Sequence, residues 1–84
     1  MTLSNKDSFD KRKHNLSTLI EDRINAKDIS AIERSSLLKL RELIREYTFL
    51  NRFEMKGILS HTIVDSLTLD YSLASQFIEF DEAI

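Results

Sequence analysis

The sequence predicts an all-α domain of three or four helices built around a long central helix, with dimerisation available to complete a thin core. Three observations predict it. The 84 residues contain no proline and a single glycine, so little interrupts a helix. Ser30-Ala-Ile-Glu33 has the form of a capping box and opens a leucine-rich run. Apolar residues recur at spacings of three and four over most of the chain.

One stretch dissents. Ser66 to Leu73, SLTLDYSL, alternates polar and apolar side chains as a half-buried strand does. A strand needs a partner, and no other stretch alternates as well. The same region also satisfies a helical count, because Ile63, Leu67, Tyr71, Ala74 and Ile78 step by four, four, three and four. The expectation is therefore helix, turn near Thr68 to Asp70, helix. A strand here would have to pair with a copy of itself or with a partner protein.

The first helix is marked by Leu16, Leu19, Ile20 and Ile24, with Phe9 extending the same face two turns earlier. Its start is set either near Lys6 or near Asn15, since residues 4 to 7 and Asn15 are competing N-caps. Residues 1–14 are expected to be loosely held, and the polar Asn25-Ala-Lys-Asp28 ends the helix. The second helix begins at the Ser30 box. Ile32, Leu37, Leu40, Leu43, Ile44, Tyr47 and Leu50 share one broad face of it, of which Leu40, Ile44, Tyr47 and Leu50 are the expected core or self-association seam. Continuing that face would bring Glu54, Gly57, His61 and Asp65 into the seam, at a cost in buried polar groups. The helix is expected to end or bend near Lys56-Gly57, with Gly57 as a left-handed cap; the alternative is a continuous helix to about Ser66. Ile63, Val64 and Leu67 then suit a short helix. Leu73, Phe77, Phe80 and Ile84 define a last amphipathic one, with Asp70 as its N-cap.

Composition narrows the function classes. Hydrophobic residues at 42% and charged ones at 31% are ordinary for a folded chain, which reads as one domain over 1–84. No cysteine is present and only two histidines, which leaves no basis for a disulfide or a structural zinc. Apolar runs are too short to span a membrane, and the N-terminus lacks an apolar leader, so a cytoplasmic location is expected. Net charge is only −2 but unevenly placed. Residues 1–56 hold all 12 Lys and Arg against nine Asp and Glu, a local +3, whereas 57–84 hold five acids and no basic residue.

Four arginines, Arg34, Arg41, Arg45 and Arg52, fall within about 40° of one another on a continuous second helix, opposite the apolar seam. Such a ridge could follow a phosphate backbone or dock an acidic partner, although Glu42 and Glu46 flank it and a solvated face is the plainer reading. Lys11 to His14 adds a short basic run that Asp7 and Asp10 neutralise. No aromatic side chains interleave with either patch to stack bases. Glu54, His61 and Asp65 could share a helix face, but one imidazole with carboxylates makes a poor metal site, and a His–Asp surface pair is the simpler expectation. No glycine-bearing nucleophile elbow and no phosphate loop is present, so no catalytic residue, cofactor or metal is expected.

Two further surfaces remain. In the C-terminal segment, Phe77, Glu79, Phe80 and Asp81 alternate bulky apolar with acidic side chains, which suits a docking peptide for a groove with a basic rim. The same pattern also suits a closing helix that packs its own core. Leu38, Phe49 and Phe53 lie well away from the main seam, so the second helix is covered from two sides. The function expected is that of a small non-enzymatic regulator, adaptor or inhibitor acting through another protein, with a homodimer as the assembly. The alternative is a nucleic-acid-associated factor that uses the arginine ridge.

Overall fold

A computed structural model describes residues 5–84. Five helices follow one another: α1 (Lys6–Ile24), α2 (Ala31–Glu46), the single turn α3 (Arg52–Met55), α4 (Ile58–Ser66) and α5 (Tyr71–Glu82). No strand occurs among the described residues. The chain is an all-α bundle in which α1 packs on α2 and α5, and α4 packs on α5 and α2.

Three of the starts are capped by their own N-cap side chain. Asn5 caps α1, its side-chain oxygen accepting from the Ser8 amide at 2.8 Å. Of the two predicted starts the earlier one is therefore used, and it carries Phe9 fully buried. Of the loosely held stretch expected over 1–14, residues 1–4 lie outside the described residues. Ser30 caps α2 by accepting from the Glu33 amide at 3.1 Å, while Glu33 turns away from the reciprocal bond and pairs with Arg23 of α1 at 2.7 Å. Asp70 caps α5 by accepting from Leu73. The SLTLDYSL stretch is thus the end of α4, a turn over residues 67–70 and the start of α5, and the strand alternative fails.

The central helix is shorter than its periodicity predicts. α2 stops at Glu46, and α1 is the longest helix at 19 residues. The interruption comes from side chains that compete for backbone groups. Asn51 accepts from the Thr48 amide at 2.8 Å and donates its Nδ2 to the Glu46 carbonyl at 2.9 Å, and Thr48 Oγ1 accepts from the Asn51 amide at 3.3 Å. This box satisfies the end of α2 and turns the chain. A second break follows at Gly57, which adopts the left-handed conformation expected of it, φ +90°.

The core is one cluster drawn from every helix except α3, which buries no residue. Its aromatic centre is Phe9, Tyr47 and Phe80, with ring centroids 5.2–5.9 Å apart, and Phe49 meets Phe9 edge-on at 5.8 Å. Two cross-helix ion pairs, Arg23–Glu33 and Arg41–Glu21 at 3.2 Å, stitch α1 to α2 at the surface. No described helix is long and apolar enough to cross a membrane.

Candidate functional site

The two breaks bring the chemistry of this chain to one end of the bundle, where the 47–51 turn, α3, the start of α4 and the end of α5 meet. Two arrangements lie side by side there, one buried and one exposed.

The buried arrangement centres on Asp81, only 1% exposed. Gly57 opens α4 and has no side chain with which to cap it. Asp81 of α5 supplies the cap from outside: Oδ2 accepts from the Gly57 amide at 2.8 Å, the Ser60 amide at 3.2 Å and the Ser60 hydroxyl at 2.7 Å. Its other oxygen accepts from the Tyr47 hydroxyl at 2.7 Å. Four donors thus converge on one carboxylate at a helix N-terminus, where the backbone dipoles favour negative charge. Tyr47 is held well above the ordinary phenol range, first by burial, then by its bond to Asp81 and by that carboxylate's charge. The phenol therefore stays protonated and remains the donor.

The exposed arrangement is α3 and the turn before it. Leu50 is 94% exposed and Phe53 70%, values far from those of a core residue. Arg52 lies between two rings, its guanidinium carbon 3.6 Å from the Phe49 centroid and 4.3 Å from that of Phe53. It also donates to the Phe49 carbonyl. The stack fixes the arginine and orients the Phe53 ring, because Phe49 is itself anchored on Phe9 in the core. Lys56 donates to the Ile84 carbonyl at 2.9 Å, which ties the end of α5 to the same corner.

Several predicted site residues are redistributed by this geometry. Leu40, Ile44 and Tyr47 form core as expected, but Leu50 does not, because the turn at 47–51 rotates it into solvent. The arginines are not one ridge: Arg52 is carried off α2 by that turn, Arg41 is engaged by Glu21, and Arg45 pairs with Glu42 at 3.1 Å. Arg34 alone of the four is exposed and without an ion pair among the described residues. The C-terminal segment is not a free docking peptide, since Phe77 and Phe80 are core and Asp81 is the buried cap, which leaves Glu79 at the surface. His61 and Asp65 form the expected surface pair at 2.9 Å. Nothing in the sequence marked Ser60 as a partner of Asp81, since the two are joined only by the fold.

An open groove of about 300 Å³ between α1 and α5 is lined by Asp22, Asp70 and Arg23, whose cation is already committed to Glu33. No group of three or more potential metal ligands occurs among the described residues. Compared with protein-family models, with curated proteins and with solved structures, the chain matches none.

Proposed function

We propose that this protein is a small non-enzymatic interaction module, a regulator, adaptor or inhibitor, and that the α3 corner formed by Leu50, Arg52 and Phe53 is the surface through which it binds protein. The observation that carries this reading is the Phe49–Arg52–Phe53 stack: an exposed aromatic ring held in place by an arginine that is itself anchored to the core. Exposed apolar side chains usually scatter singly and mean little. Here Leu50 and Phe53 stand three residues apart, on α3 and the turn before it, and α3 itself has no fully buried residue. Arginine and aromatic anchors carry much of the binding energy in protein interfaces, and fixing them beforehand lowers the entropy cost of docking.

The reading is tested by photo-crosslinking in cells, with a benzophenone side chain at position 53 and, in parallel, at His14 on the outer side of α1. Position 53 should give discrete protein adducts that position 14 does not. Equal labelling at both sites, or adducts with nucleic acid at position 53, would contradict it.

A further inference from the structure

Resting on that reading, we propose that the partner built into the α3 corner is a second copy of this chain, docked across a two-fold axis with Leu50 and Phe53 at its centre. A two-fold interface is self-complementary, so a single patch must carry both halves of every ion pair it makes. The α3 corner does. Around the exposed Leu50 and Phe53 stand the cations Arg52 and Lys56 and the acids Glu46 and Glu54, and the exposed Glu82 comes from the α5 end that Lys56 tethers to the corner. Neither Glu46, Glu54 nor Glu82 has an ion pair among the described residues. A partner of one charge sign would leave part of this set opposed by like charge, whereas a copy turned by 180° about an axis that sets Glu54 against Lys56 offers each sign to the other.

The apolar centre points the same way. An 84-residue chain has little core to spare, and α3 adds only the half-buried Met55 to it, so Phe53 and the preceding Leu50 gain full cover only from outside. Cover by an identical turn doubles each contact across the axis, placing Phe53 beside the partner's Leu50 and Glu54 beside the partner's Lys56.

Light scattering and sedimentation equilibrium on the full chain, from micromolar to several hundred micromolar, test this. The wild type should move from monomer to dimer mass. Phe53→Ser and Leu50→Ser should each raise the dimer Kd at least tenfold, with unchanged helical circular dichroism. Glu54→Lys and Lys56→Glu should each weaken the homodimer, because each sets like charges across the axis. Mixing those two variants should restore dimerisation, since a heterodimer recovers an opposite-charge pair on both sides. A wild type that stays monomeric throughout would overturn the proposal, as would a dimer indifferent to residues 50 and 53 or a mixture no better than its components. A monomeric chain that still crosslinks other proteins through position 53 would refute self-docking and leave the broader reading in place.

Discussion

The Asp81 cluster and the α3 corner are built from the same stretch of chain and obey opposite rules. Tyr47, Gly57 and Ser60 surround a buried carboxylate, while Leu50 and Phe53, lying between them in sequence, are apolar and in water. A charged group in the interior is tolerated only when its acceptor capacity is filled. Here it is filled by four donors from two separate segments, so Asp81 ties the end of α5 to the end of α2 and the start of α4. The exposed corner has no such internal account. The contrast separates what holds the fold from what the fold presents.

The contrast is broken most severely by removing the carboxylate. Asp81→Ala should destabilise the protein by about 3 kcal/mol in urea unfolding, because it takes the acceptor from the buried Tyr47 hydroxyl and from the Gly57 amide and the amide and hydroxyl of Ser60. With total stability of roughly 4–13 kcal/mol for a chain of this length, that is a large fraction. Tyr47→Phe removes one of the four bonds and should cost about 1–2 kcal/mol. It should also change the alkaline limb. The phenol is held above its ordinary 10.0 in the fold, so its contribution is complete below that pH and is lost as the pH rises past it, where the unfolded chain releases a proton that the native one keeps. The decline in stability above about pH 10 should therefore be shallower in Tyr47→Phe.

Smaller effects sharpen the same line. Gly57→Ala meets no neighbour within 4 Å, so its cost is that of placing a side chain at φ +90°, about 1 kcal/mol. Phe53→Ser, at a residue 70% exposed, should change monomer stability by no more than about 0.5 kcal/mol when measured at low micromolar concentration. A loss of 2 kcal/mol or more there would mean that the corner belongs to the core.

Much of the scaffold was legible because it is local. Asn5 lies within the predicted capping window, Ser30 and Asp70 cap where their spacing to the apolar runs placed them, and Gly57 takes the left-handed conformation that only glycine adopts without strain. The 47–51 turn escaped notice because Tyr47 and Leu50 continue the seam of α2 in register, and periodicity outweighed Thr48-x-x-Asn51, whose side chains can satisfy a helix end. An unbroken seam would keep Arg52 on α2 and align the four arginines, which the turn prevents. The role of Asp81 is hidden from the sequence for a different reason. Beside Phe80 it resembles the solvated face of a closing helix, and its donors lie 21 to 34 residues away, which no local pattern reports. Phe49 and Phe53 were legible as a second apolar face, although only the fold shows that Phe49 anchors the stack and Phe53 presents it.

The division of labour between the two arrangements is tested most directly by amide hydrogen exchange resolved residue by residue, on the same protein at low micromolar and at several hundred micromolar concentration. The Gly57 and Ser60 amides, which donate to Asp81, should exchange slowly at both concentrations. Those of Leu50, Arg52 and Phe53 should exchange fast when dilute and slow down when concentrated. Gly57 and Ser60 exchanging as fast as the corner, or the corner already slow in dilute protein, would contradict the assignment of one arrangement to stability and the other to recognition.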